Sequence, residues 1–132
     1  MSQNIQITEL LEYTDARGFN FQTPADTLAS FGSMAHLHVS SVKSGAVRGN
    51  HYHSRRQECL LVLPGVKWSL YWGESASSAS QHRDFAGDKA VLVLIFPGAP
   101  HAIRNDGASD LSLVSISTET YDPAETVAHK LI

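Results

Sequence analysis

A chain of 132 residues that is 42% apolar and 17% charged has the length and apolar content of one globular domain with its own core, which sets aside a disordered chain and two independently folding halves. Ten Lys and Arg against thirteen Asp and Glu give a formal charge of -3, so no excess of positive charge exists for a phosphate backbone or an anionic membrane, and neither nucleic acid nor membrane is an expected partner. The single cysteine, Cys59, rules out an internal disulfide and a thiolate-rich zinc site, while seven histidines supply the side chain that most often ligates transition metals.

The first residues, MSQNIQITEL, lack the basic region and long apolar stretch of a secretory signal. The strongest apolar run, Ala90 to Phe96, falls far short of the ~20 residues of a membrane-spanning helix. The expectation is a cytoplasmic protein. A helical turn is expected near Ile7 to Leu11. From Gly32 to Val42 the chain alternates, with Met34, His36, His38 and Ser40 on one face of a strand and Ala35, Leu37 and Val39 on the other. Gln57 to Leu63, Val66 to Trp72, Lys89 to Phe96 and Asp110 to Ser117 are further short runs rich in β-branched, Leu and aromatic residues. Turn chemistry closes them at Pro64-Gly65, Gly73, Pro97-Gly98 and Asn105-Asp106-Gly107. Ser75 to Ser80 reads as a loop tip, and a second short helix is expected near Pro123 to Ala128, where proline suits a first turn. Short strands at this spacing imply an all-β domain over 1–132, an antiparallel sandwich or closed barrel with few short helices. Such a fold leaves sheet edges, and the ITEL and GFNF pieces near the start are expected to pair with a partner subunit, giving a homodimer.

The chemistry gathers in GAVRGNHYHSRRQECLLVLPG, residues 45–65. Strand alternation puts His51 and His53 on one face, so both imidazoles point into one region. Glu58 opens the next apolar strand on the same face as Leu60 and Val62, and a carboxylate there is costly unless a cation or hydrogen-bond donors meet it. Two imidazoles and a carboxylate suit zinc, iron, manganese, nickel or copper. His101, presented by Pro97-Gly98-Ala99-Pro100, suits a further ligand. Arg55 and Arg56 read as a solvated turn, Cys59 as a small buried apolar residue, Asn105 as the residue that holds its own turn, and His82 and His129 as exposed.

This window resembles the first motif of the cupin family, G(x)5HxH(x)3-4E(x)6G, throughout: Gly45, His51-Tyr52-His53, Glu58 and Gly65 stand at its positions. Gly98, His101 and Asn105 are similar to the latter half of the second motif, with Phe96 where that motif has proline. The resemblance implies a jelly-roll β-barrel holding one divalent metal through His51, His53, Glu58 and His101. Asp15-Ala16-Arg17-Gly18 and Arg48-Gly49-Asn50-His51-Tyr52-His53 further resemble the cupins that act on nucleotide-linked sugars. These are the 4-keto-6-deoxysugar epimerases and ketoisomerases and the cupin domain of capsular polysaccharide reductases. Retention of all four ligand positions is closer to the metal-binding capsular type.

What this branch implies is proton transfer beside a carbonyl. His36, His38 and Tyr71 are then the candidate acid and base groups, and Arg48 and Arg17 the candidate partners of a diphosphate. Two other readings stand beside it. One is a metal-dependent oxygenase or isomerase of a small carboxylate or diketone; the other is a non-catalytic metal or ligand sensor with a closed site.

Overall fold

The computed structural model describes residues 3–132, and its regular elements are strands apart from one 3-10 turn. In chain order they are β1 (Ile5–Glu9), β2 (Leu11–Glu12), β3 (Phe21–Gln22), β4 (His36–Val42), β5 (Val47–His53), β6 (Glu58–Val62), β7 (Trp68–Trp72), β8 (Gln81–Phe85), β9 (Val91–Ile95), β10 (His101–Asn105), β11 (Leu111–Ser117), the turn Pro123–Glu125, and β12 (Thr126–Ala128). Two five-stranded antiparallel sheets, ordered β1-β9-β6-β11-β4 and β12-β5-β10-β7-β8, face each other, and β2 with β3 forms a separate hairpin. This is the expected all-β jelly roll. Its two large sheets close on each other by side-chain packing rather than by a shared ladder.

Strand parity explains the core. On β9, Val91, Val93 and Ile95 point between the sheets and meet Leu60, Val62, Trp68, Leu70, Ile103 and Leu113, whereas Leu92 and Leu94 point outward. The outward face is also buried, because Leu10, Phe21 and Phe31 from the N-terminal region pack on it with Cys59. A central strand covered on both faces therefore reads as a continuous apolar run. Burial, with the Glu58 charge beside it, pushes the Cys59 thiol up to about 11, in keeping with an inert packing residue.

One expectation of a helix fails here and the other holds in part. Ile7 to Leu11 is not helical: Ile5 and Ile7 alternate with Gln6 and Thr8, a period of two, and β1 pairs with β9 from Ile5↔Ile95 to Glu9↔Val91. The ITEL piece thus covers an edge of its own sheet, and GFNF ends in β3, paired with β2. Pro123 to Ala128 gives a single 3-10 turn, capped by the Asp122 carboxylate accepting from the Ala124 amide, and then an edge strand on β5. β8, with the polar sequence QHRDF, carries little apolar signal and is exposed at four of its five residues. Among the described residues no helix is long and apolar enough to cross a membrane.

Candidate metal centre

Two strands of one sheet and one of the other build the site. β5 and β10 pair so that His101 stands opposite His51, and the register then slips, with Ala102 opposite Gly49. That bulge leaves Asn50 as the extra residue of β5, and both Gly49 and Asn50 have positive φ, 105° and 58°. Across the core, Glu58 opens β6 on the face shared with Leu60 and Val62, as its parity requires.

The result is convergence. One ring nitrogen from each of His51, His53 and His101 can lie within 4.8 Å of the others, with ring centroids 4.8 to 5.6 Å apart. Glu58 adds its carboxylate, Oε1 at 3.6 Å from His101 Nε2 and Oε2 at 3.9 Å from His53 Nε2. Hydrogen bonds on the far side of two rings set their tautomers. His101 Nδ1 donates to the Ala99 carbonyl at 3.0 Å, and His53 Nδ1 donates to Glu125 Oε1 at 2.9 Å. Both Nε2 atoms are thereby turned toward the cluster with their lone pairs.

The His101 Nε2 atom is buried and has no hydrogen-bond partner among the described residues. It faces the Glu58 carboxylate, and two acceptors held face to face are unfavourable unless a proton or a cation lies between them. Three imidazole nitrogens and one carboxylate oxygen, with a carboxylate behind one imidazole, form a donor set that fits a divalent transition metal.

The electrostatics favour the deprotonated ligand forms. Burial, followed by the neighbouring His101 and His53, pulls the His51 imidazole down to about 4 despite the Glu58 charge. Burial likewise lowers His53. Burial alone raises the Glu58 carboxyl, but the close approach of His101, at 3.6 Å, together with His53 and Arg56, outweighs it and holds the group at about 2.

Two members were not foreseen. Arg56, expected in a solvated turn with Arg55, is instead 9% exposed, with Nη2 3.3 Å from His53 Nε2 and 3.9 Å from Glu58 Oε2. Arg55 does stay exposed, paired with Glu119 and Asp122. Glu125, 1% exposed, accepts the backbone amides of Arg55 and Arg56 with Oε2 besides holding His53. The double arginine gives no local sign of which side chain turns inward. Glu125 sits in a polar C-terminal segment whose sole cue is the preceding Asp122-Pro123 turn.

Of the proposed acid, base and anion groups, only some reach the centre. A cavity of about 410 Å³ is lined by His38, Arg48, His51, Arg56, Glu58 and His101, backed by Leu60, Ile103 and Leu113. A second, of about 690 Å³, shares His38, His51 and Arg56 and adds His36 and Tyr121. His36 and His38 thus stand at the mouth, their rings 5.6 Å apart. Arg48 lines the mouth with its Nε bonded to the Ser41 carbonyl. Tyr71 is not brought to the site: Trp68, Leu70 and Trp72 take the inner face of β7, and Tyr71 on the outer face stacks on His82 at 4.7 Å. Arg17 lies at the tip of the β2–β3 hairpin, 89% exposed and paired with Asp15 at 2.6 Å. His82 is exposed as expected, whereas His129 is half-buried, its ring 6.2 Å from that of Tyr52.

A jelly roll with HxH on one strand, a carboxylate on the next and a third histidine across the ladder defines a cupin. Within that superfamily the chain belongs to the polysaccharide biosynthesis C-terminal domain family, whose model matches residues 13–128. It is 21% identical over 127 residues to the spore coat polysaccharide biosynthesis protein SpsL of Bacillus subtilis, covering 93% of this chain and 84% of that protein. The capsular polysaccharide assembling protein CapF of Staphylococcus aureus is 25% identical, with a TM-score of 0.67 over 94% of this chain and 33% of CapF. The chain therefore spans about a third of CapF. A point mutant of the 3,4-ketoisomerase QdtA of Thermoanaerobacterium thermosaccharolyticum, solved in complex with TDP-4-keto-6-deoxyglucose, is 16% identical with a TM-score of 0.74 over 96% of this chain and 88% of QdtA. That likeness is one of fold.

Proposed function

We propose that this protein is a metal-binding isomerase or epimerase of a nucleotide-linked keto-sugar, working by proton transfer beside the sugar carbonyl. The observation that carries the reading is the buried, unpartnered His101 Nε2 facing Glu58, His51 and His53 at the base of an open cavity. Family membership in polysaccharide biosynthesis and the keto-sugar held by the similarly folded QdtA support the substrate class.

His51, His53, His101 and Glu58 would hold the ion, which is zinc, iron, manganese or nickel by its ligands. A divalent ion there supplies positive charge opposite a polarised carbonyl oxygen. The chain's own groups do the rest. His38, at the mouth of both cavities, takes the proton from the carbon next to the carbonyl; the C–H electron pair moves into the new C–C double bond as the carbonyl pair moves onto oxygen. Return of a proton to the opposite face of the same carbon inverts it, and return to the former carbonyl carbon, with loss of a hydroxyl proton from the neighbour, moves the keto group. Arg48 at the rim pairs with the diphosphate, and the apolar wall of Leu60, Ile103 and Leu113 excludes water.

A homodimer belongs to the same reading. The outer edge of β4 has no ladder partner among the described residues, and Leu37 and Val39 beside it are 53% and 70% exposed, which suits strand pairing with a second copy. Sedimentation giving a monomer at micromolar concentration removes this part.

The test of the chemistry is deuterium exchange. Incubated in D2O with zinc-loaded protein, TDP-4-keto-6-deoxyglucose should gain deuterium next to its carbonyl by NMR, and His38→Ala should slow this by about 10²-fold or more. No exchange with any nucleotide-linked keto-sugar, or retention of stoichiometric metal by both His51→Ala and Glu58→Ala, overturns the reading.

A further inference from the structure

We propose that Arg56 is a built-in stand-in for the divalent ion: its guanidinium and the metal compete for His53 Nε2 and Glu58 Oε2, and metal binds only as the guanidinium withdraws. This rests on the metal reading above.

The competition follows from how few acceptors are free. A neutral imidazole has one nitrogen lone pair. His53 Nδ1 is committed as a donor to Glu125 Oε1 at 2.9 Å, so that lone pair is on Nε2, and Arg56 Nη2 lies against it at 3.3 Å. A zinc–nitrogen bond of ~2.1 Å uses the same lone pair along the same direction. The ring cannot turn over to serve both, because Glu125 is an acceptor-only group fixed by the Arg55 and Arg56 amides. The same guanidinium stands 3.9 Å from Glu58 Oε2, giving that buried carboxylate the cation that a metal would otherwise provide. A divalent ion and a guanidinium crowded on these two acceptors repel at close range in a weakly screened site.

Withdrawal is sterically open. Arg56 lines both cavities, so its side chain borders open space. Among the described residues its Nε, although 3.3 Å from Glu125 Oε1, makes no hydrogen bond, so the head group is held inward by the His53 hydrogen bond and by its ion pairs with Glu125 and Glu58. Loss of these contacts swings the guanidinium toward the junction beside His38 and His51, where it can meet an anionic part of a substrate.

The experiment is zinc titration by calorimetry of chelator-stripped full-length wild type, Arg56→Met and Arg56→Lys, with arginine 15Nε–H NMR spectra of the wild type followed during the titration. The Arg56 signal is assigned by its absence from Arg56→Lys. Arg56→Met should bind zinc at least about tenfold more tightly than wild type, and Arg56→Lys, which keeps a cation, should stay near wild type. The Arg56 Nε–H signal should move in step with zinc and stop at one equivalent. Equal or weaker zinc binding by Arg56→Met, or an Arg56 signal that stays fixed as zinc saturates, overturns the proposal while the metal reading stands. If neither protein binds zinc, both fall. Should Arg56→Met fail to fold, the wild-type spectrum decides.

Discussion

Glu125 Oε1 lies 2.9 Å from His53 Nδ1, with 1% and 2% of the two side chains exposed. This contact ties the C-terminal turn to β5, and the other carboxylate oxygen accepts the amides of Arg55 and Arg56 at 3.2 Å each. Glu125→Ala leaves the buried Arg56 amide without its acceptor, removes that of the part-buried Arg55 amide, and leaves His53 Nδ1 held by Thr126 Oγ1 at 3.2 Å in place of a carboxylate. We expect a loss of about 3 kcal/mol or more in urea unfolding and metal binding weakened by about 10 to 100-fold. Glu125→Gln keeps the shape and one acceptor and should fall between. An Ala variant with the wild-type unfolding midpoint and metal affinity would remove the tie.

Gly49 sits where the two histidine-bearing strands, β5 and β10, meet. A Cβ at this position would stand 2.6 Å from the His101 carbonyl oxygen and 2.9 Å from Ala102 Cα, on a backbone with φ of 105°. The bulge it permits also changes strand parity, so that Arg48 and His51, three residues apart, line the same cavity. Gly49→Ala should force β5 and β10 apart, lower stability by roughly 1 to 3 kcal/mol, and reduce metal stoichiometry in the protein that remains folded. Thermal unfolding and elemental analysis of the variant check this; wild-type values in both would show that the bulge tolerates a side chain.

The convergence of His51, His53 and Glu58 was legible because its signal is local: HxH on a strand gives convergence by alternation alone, and Glu58 heading an apolar strand marks an anomalous buried charge. Arg56 and Glu125 were not legible, since Glu125 meets Arg56 and His53 only across 69 and 72 positions of chain. Tyr71 failed for a different reason. β7 reads WSLYW, with aromatic residues on both faces, so alternation fixes which residues share a face but not which face turns inward. The same limit hid β8, whose polar sequence is held as a strand by its ladder to β7, from Trp68↔Phe85 to Trp72↔Gln81, and Ile7 was drawn into a helix by a window too short to separate the two periods.

Asn105 closes the end of β10 remote from His101. Fully buried, it donates through Nδ2 to the carbonyls of Val42 and Ser109, each at 2.7 Å, and accepts the Gly107 amide at 2.8 Å. Its sequence role as a turn holder is thus met, with a link to β4 besides. Asn105→Ala strands three backbone groups and should cost about 2 to 4 kcal/mol in chemical unfolding, and Asn105→Asp, which places a carboxylate against two carbonyls, should cost no less. Folded Asn105→Ala should still bind one equivalent of metal. A variant that is stable but metal-free would place Asn105 in the site rather than in the frame.

Acidification should unfold the metal-free protein in two overlapping stages. His51 titrates at about 4 in the folded chain against an ordinary 6.5, because burial and its histidine neighbours disfavour the imidazolium. Between those values the unfolded chain binds a proton that the folded chain refuses, so stability falls as pH drops from 6.5 toward 4. His53, also lowered by burial, acts in the same direction. Glu58 titrates at about 2 against an ordinary 4.5, so its contribution is complete above 4.5 and is lost as pH falls from there to 2. Urea midpoints measured with a chelator from pH 7.5 to 3 should therefore decline from just below pH 6.5. His51→Gln should flatten the upper part of that decline and leave the part below pH 4.5 in place. A wild-type midpoint constant from pH 7 to 5, or a His51→Gln profile that parallels wild type throughout, contradicts the assignment of this step to the buried imidazole.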